Sequence, residues 1–329
     1  MEETKYDLLS VGDVALDTYL VPQESDTLCM VDSKESLICF SYGDKIPVKS
    51  LSISVGGNAG NNAVGVSRLG LKVGLVSTLG GDSIGNQILE KLNKEGVDLT
   101  YTIRQENALT NSSTILSYQG ERTIFTYHAP RSYEFPVTLP QVGWVYLTSM
   151  GESFRPFYNH FLDYLKTKPD TKLAFNPGSR QLRALSDITE AIKLTHMIYV
   201  NKQEAQKITG YEENDIKELL IRLNSLGPKI VVITAGSDGS YVYDGNIFLK
   251  SGVLPVDAYE RTGAGDAFGS GCISAIIKGK TLEEALLWGT VNSASVIGYI
   301  GPQQGLLREE DIPLWMERAK SSGVRVEEF

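Results

Sequence analysis

The chain has 329 residues, 42% apolar and 22% charged, which excludes a disordered chain, a collagen-like repeat and a coiled coil. That length suffices to bury a large core without staples. A formal net charge of −9 argues against a nucleic-acid-binding surface, though not against a site for one small anion.

Cys29, Cys39 and Cys272 stand in no paired spacing, so they offer neither a disulfide framework nor a zinc site and fit a reducing compartment. No run approaches the roughly 18 apolar residues of a membrane span. The charged N-terminus runs straight into a strand-like segment and has no signal-peptide pattern, so the expected setting is the cytosol.

In chain order, short apolar runs at 6–11, 73–79, 142–147, 172–175, 197–200 and 230–234 predict buried strands. Between them Ile84, Ile88, Leu89 and Leu92 recur at helical spacing, as do Ile216, Leu219, Leu220 and Leu223 before the stop at Gly227-Pro228. This alternation predicts a mostly parallel sheet with helices on both faces. Two regions break it. Residues 17–55 are β-prone and poor in helical pattern, and 110–127 reads as a hairpin of 112–118 and 122–127 turning near Gln119-Gly120. The two are expected to pair into a small sheet on the main domain, either a lid over the large sheet or a plain edge extension.

Five segments carry chemistry. In Arg261-Thr262-Gly263-Ala264-Gly265-Asp266 a glycine turn leads into an apolar helix expected over 267–277. Successive backbone N–H groups and the helix dipole suit a phosphoryl group, and Asp266 stands ready to accept a hydroxyl proton. Read alone, the motif favours Asp266 as a helix N-cap after a glycine turn. Gly56-Gly57-Asn58-Ala59-Gly60-Asn61-Asn62 opens a second helix and suits a polyhydroxylated ligand, or is a glycine turn with an Asn cap. Asn201-Lys202-Gln203-Glu204 follows a strand. It suits phosphate and a magnesium-bound water, or is a capping box. Thr234-Ala235-Gly236-Ser237-Asp238-Gly239 is a candidate nucleotide loop or a tight turn, and Asp17 faces sugar hydroxyls or solvates a loop. The three histidines form no metal cluster, and only His128, beside the hairpin, is a candidate to meet substrate.

Together these motifs resemble, over nearly the whole chain and in family order, the ribokinase-like (PfkB) carbohydrate kinase family. Residues 56–63 with Leu69-Gly70 look like its N-terminal signature, and 262–266 like its C-terminal one. Gly80-Gly81-Asp82, Gly96-Val97-Asp98, 120–123 and the Asn201–Glu204 pair are similar to its intervening motifs. The resemblance implies one ribokinase-like α/β domain over 1–329, a doubly wound, Rossmann-like, mostly parallel sheet with a β lid from about 14–55 and 110–128. It implies ATP-dependent phosphorylation of a hydroxymethyl group of a sugar or nucleoside. Asp266 would be the base and the Gly263, Ala264 and Gly265 amides the anion hole. Asp17, Gly56, Gly57, Asn61, Glu152 and Arg180 would bind the acceptor. Asn201, Glu204, Thr234, Gly236, Gly239 and Asn292, the last near the start of an apolar helix, would serve ATP, with Glu204 reaching Mg²⁺ through water. Homodimerisation through the lid is expected of its exposed apolar residues, with no membrane or nucleic-acid partner.

Some positions depart from the family pattern. Glu260 stands where potassium-activated relatives carry Asp, which leaves potassium dependence open. Arg261 is expected to hold phosphate or to pair with Glu260. Ala15 replaces an Asn that helps ribokinases bind ribose, and Asn176 an Asp. A nicotinamide-type oxidoreductase is disfavoured, because the first strand ends at Gly12-Asp13 without a GxGxxG turn into a helix. A non-catalytic sugar- or nucleotide-binding paralogue would need a lost base or a broken anion hole, and both features stand.

Overall fold

All six apolar runs form strands, and they lie side by side. The computed structural model describes residues 5–23, 28–31, 36–118, 121–136 and 139–329. The first strands are β1 (Tyr6–Val11), β2 (Ala15–Pro22), β3 (Leu28–Val31), β4 (Ser36–Cys39), β5 (Val48–Gly56), β6 (Val73–Gly80), β7 (Thr102–Gln105), β8 (Ser112–Tyr118) and β9 (Glu121–Tyr127). After them come β10 (Val142–Leu147), β11 (Lys172–Phe175), β12 (Met197–Asn201), β13 (Ile230–Thr234), β14 (Ser240–Tyr243), β15 (Phe248–Ser251) and β16 (Val326–Glu328). A ten-stranded sheet runs β16-β15-β14-β13-β12-β11-β10-β1-β6-β7. Neighbours from β7 to β13 pair in parallel, and β13 to β16 pair antiparallel.

The helices are α1 (Asn58–Arg68), α2 (Ser83–Lys94), α3 (Phe154–Lys166), α4 (Ser179–Arg183), α5 (Leu185–Leu194), α6 (Lys202–Thr209), α7 (Ile216–Ser225), α8 (Ala264–Ile277), α9 (Leu282–Val296) and α10 (Ile312–Ser321). Alternate strand residues feed opposite faces. Trp144, Tyr146, Met197 and Tyr199 pack with α1, α8 and α9, while Val145, Leu147, Ile198 and Val200 pack beneath α3, α5, α6 and α7. Burial on both faces is why these strands read as continuous apolar runs.

A four-stranded sheet runs β5-β2-β8-β9. The expected pairing of the two β-prone regions holds for β2, β5, β8 and β9. It fails for the piece at 36–40, because β4 pairs only with β3 in a separate two-stranded sheet. The turn at Gln119-Gly120 lies outside the described residues. Register assigns the two faces of the small sheet. Asp17, Tyr19, Ser52, Ser54, Ser113, Ile115, Ser117 and Arg122 share one face. The other face carries Leu51, Ile53, Phe125 and Tyr127, all exposed.

Candidate active site

The site begins where two helices meet. Asp266 is the third residue of α8, whose N-cap is Gly263. The helix starts three residues earlier than expected, which corrects both the 267 boundary and the reading of Asp266 as a cap. Gly263 adopts φ 80°, and a side chain there would collide with Pro302, so the turn needs glycine. Tyr199 donates its hydroxyl to the Gly265 carbonyl at 2.8 Å and fixes the first turn against the sheet. Of the three expected anion-hole amides, that of Ala264 donates to the Arg261 carbonyl at 3.3 Å.

Asn61 on α1 donates its Nδ2 to Asp266 Oδ2 at 2.8 Å. Gln303 Nε2 in turn donates to Asn61 Oδ1 at 3.0 Å. Close helix packing makes this possible. A Cβ on Gly65 would stand 2.6 Å from that of Ser270. Gly65 lies one turn beyond Asn61 and Ser270 one turn beyond Asp266, so the same two helix faces meet at both levels. Burial pushes the Asp266 carboxyl up to about 6, Asn61 opposes the rise and Asp17 adds to it.

The small sheet brings Asp17 over this point. Asp17 is buried, bonded to Ser113, and raised to about 6, chiefly by burial and further by Glu260. Gly56 lies directly beneath it, and a side chain there would displace the Asp17 carboxylate. Gly57, at φ 83°, lets the chain pass so close that a Cβ would lie 2.6 Å from the Asp13 carbonyl oxygen. Glu260, 8% exposed, accepts from the Thr262 amide at 2.8 Å and from the Thr262 hydroxyl, and pairs with Arg122 of β9 at 3.3 Å. Glu260 thus meets Arg122, while Arg261 stays exposed. Arg122 ties the small sheet to the turn that leads into α8.

Asn201 and Glu204 do form a capping box, the Glu204 amide donating to Asn201 Oδ1 at 2.9 Å and the Asn201 amide to Glu204 Oε2 at 2.8 Å. Burial raises Glu204, and Asp266 adds to the rise, so the two carboxylates are within electrostatic reach. Thr234 ends β13, and Tyr199 bonds its side chain. Gly236 opens onto free space at φ 57°. Gly239 is needed because a side chain would collide with the Ser251 carbonyl.

Two expected site residues, Asn292 and Glu152, sit differently. Asn292 lies in the last third of α9, not near its start, and is fully buried. It donates to the Ala267 carbonyl at 2.7 Å and accepts from the Leu307 amide at 2.9 Å, so its amide locks α8 to α9. Glu152 is exposed and 3.9 Å from Arg180. Asp82 caps α2 through the Gly85 amide and also accepts from the Thr110 amide, and Asp98 accepts from the Thr100 amide and the Tyr6 hydroxyl. Sequence reasoning missed Gly65, Gln303 and the Asp13–Tyr133 pair. Tyr133 donates to Asp13 at 2.8 Å and accepts from the Gly151 amide at 2.7 Å. The Gly301-Pro302-Gln303 loop was the one available signal for Gln303.

Three comparisons show what the chain is similar to. The family model for pfkB family carbohydrate kinases matches residues 25–309. An ATP-dependent 6-phosphofructokinase of Thermoanaerobacterium thermosaccharolyticum is 28% identical over 316 residues, 91% of this chain and 90% of that protein. A 5-dehydro-2-deoxygluconokinase of Clostridium tetani is 28% identical over 81% of this chain and 85% of its own length. The crystal structure of a Methanocaldococcus jannaschii nucleoside kinase, an archaeal member of the ribokinase family, superposes with a TM-score of 0.77 at 21% identity. That superposition covers 96% of this chain and all of the other. The fold is ribokinase-like, and the chain belongs to the pfkB family of carbohydrate kinases.

Proposed function

We propose that the chain transfers the γ-phosphoryl group of ATP to a hydroxymethyl group of a sugar or sugar-like acceptor. The observation that carries this reading is Asp266. It is a carboxylate held near pKa 6 at the first turn of α8, directly after a glycine turn and oriented by Asn61. A base with a pKa a little below the working pH is mostly ionised yet still accepts a proton readily.

In this mechanism Asp266 takes the proton of the acceptor hydroxyl as its oxygen attacks the γ-phosphorus in line. Amides of the 263–265 turn and the positive end of α8 stabilise charge developing on the transferred group. Asp17, Gly56, Gly57 and Asn61 hold acceptor hydroxyls. Thr234, Gly236 and Gly239 border the nucleotide, and Asn201 faces its phosphates. No group of three metal-ligating side chains occurs among the described residues. Glu204 therefore fits a magnesium ion held mainly by phosphate oxygens and water. Such an ion neutralises phosphate charge during transfer. The small sheet acts as a lid that excludes water, a competing acceptor.

The test is ADP release from Mg·ATP against a panel of sugars, sugar acids and nucleosides, with and without potassium. A single strong responder and slow ATP hydrolysis in its absence are expected. Hydrolysis at an equal rate without any acceptor would contradict the reading. The potassium arm tests whether Glu260, already facing Arg122, needs a further cation.

A further inference from the structure

One buried amide side chain ties together the two helix starts that carry the site. Asn176 directly follows β11 and is 7% exposed. Its Nδ2 donates to the main-chain carbonyl of Tyr199 in β12 at 2.7 Å. Its Oδ1 accepts from the Asn58 side-chain amide and from the Tyr146 hydroxyl, each at 3.3 Å. The Thr148 hydroxyl donates to its main-chain carbonyl at 2.9 Å. A main-chain carbonyl only accepts, so a single orientation of the amide satisfies both of its ends.

Each arm leads to a site residue. Asn58 is the first residue of α1 and follows the Gly56-Gly57 turn directly. Asn61, one turn further along, donates to Asp266. Tyr199 holds the Gly265 carbonyl with its hydroxyl, and its ring stacks on Phe268 of α8 with centroids 5.7 Å apart. Asn176 thus ties α1 to β12, and Tyr199 ties α8 to the same strand.

The neutrality of this amide matters. Burial, and after it Asp266 of α8 and Glu204 of α6, disfavour ionisation of the Tyr146 hydroxyl on β10. Tyr199 of β12 and Cys272 of α8 are the other titratable neighbours. From α1 comes the neutral Asn58, and on α4 Arg180 pairs with Glu152. An ionised carboxylate in place of the amide would face the Tyr199 carbonyl oxygen across the 2.7 Å that a hydrogen bond now spans. A protonated carboxyl would restore the donor.

We infer that Asn176 is a positioning residue for phosphoryl transfer, its neutral amide setting the start of α1 against the start of α8 and so Asn61 against Asp266. This rests on the kinase reading above.

The test is the pH dependence of the single-turnover rate in Asn176→Asp, a change that keeps the side-chain shape. Burial, the Tyr199 carbonyl and Asp266 all raise the pKa of the introduced carboxyl. While protonated it donates as the amide does, so near neutrality the rate is expected to stay within about threefold of wild type. Once ionised it repels the carbonyl, and the rate is expected to fall about tenfold, giving an alkaline limb that the wild type lacks. A profile parallel to wild type overturns the inference. Asn58→Ala keeps the test open should Asn176→Asp fail to fold, because it removes the α1 arm alone at a half-buried position. It should lower kcat about threefold to tenfold with the KM for ATP unmoved, and wild-type kcat there overturns the inference as well. If wild type phosphorylates no acceptor, the kinase reading fails on its own, and the carboxyl-carbon NMR signal of Asp266, identified by its absence in Asp266→Asn, decides. A second, alkaline inflection of that signal in Asn176→Asp sustains the coupling between Asn176 and Asp266. A single inflection, as in wild type, overturns it.

Discussion

The large sheet and the small sheet supply carboxylates to one cleft by different means. Strand interiors of the large sheet are sealed by helices on both faces, so its chemistry is confined to the rim. Asp266 and Glu204 are there held by helix starts, a local device that sits on rigid elements. The small sheet has one covered and one open face, so its contribution, Asp17 and Arg122, stands on a strand face. It meets the rest of the molecule through long-range contacts such as Arg122 to Glu260 and Lys91 to the Ile53 carbonyl. On the proposed kinase reading, a site divided in this way couples acceptor binding to the exclusion of water.

Removing the rim carboxylate is expected to have the largest effect. Asp266→Asn should lower kcat by about 10² to 10⁴, the usual contribution of a general base. Stability should move the opposite way. The folded pKa of Asp266 is raised, so the folded state binds this proton more tightly than the unfolded chain. The stabilisation this gives below the ordinary carboxylate range is lost as pH rises through about 6. Asp266→Asn should therefore gain up to about 3 kcal/mol at pH 7.5, read as a higher Tm. Full activity with unchanged Tm would remove Asp266 from the account.

A second variant attacks the rim's rigidity without touching substrate. Gly65→Val should push α1 from α8, shift Asn61 off Asp266 and lower kcat about tenfold to a hundredfold. Ser270→Gly should recover part of the loss by making room. Wild-type kcat in Gly65→Val would mean that the helix contact does not set the position of the base.

Smaller effects belong to the small sheet. Arg122→Leu should lower kcat a few-fold and raise ATP hydrolysis without acceptor, a half-exposed ion pair contributing about 1 kcal/mol. A double-mutant cycle with Glu260→Gln should show coupling, and strict additivity would deny the link between sheet and turn. The open face, with Leu51 57% and Phe125 62% exposed, is expected to pair two copies of the chain. Light scattering at micromolar concentration should show a dimer that Phe125→Glu converts to monomer. A wild-type monomer would leave that face unexplained.

Much of the large sheet was legible because strands buried on both faces leave uninterrupted apolar runs. Asn61 and Asp266 were legible because each follows a glycine turn at a helix start. The start of α8 was read three residues late, since Gly265 and Asp266 are poor helix formers that tertiary contacts with Tyr199 and Asn61 hold in place. Resemblance assigns Asn292 to ATP and places it near a helix start, whereas it lies late in α9 and bonds the Ala267 and Leu307 backbones. Gln303 and Asn61 meet across 242 residues of chain, and Arg122 and Glu260 across 138. No local periodicity records such pairs. The piece at 36–40 was β-prone as read, but propensity does not say which neighbour a strand chooses.

The most direct test is the pH dependence of the single-turnover phosphoryl-transfer rate at saturating acceptor, in wild type and Asp266→Asn. The wild-type rate should hold steady above neutrality and fall about tenfold per pH unit below about 6, as the base becomes protonated. The residual rate of Asp266→Asn should lack that acid limb. The same limb in both proteins would show that another group takes the proton.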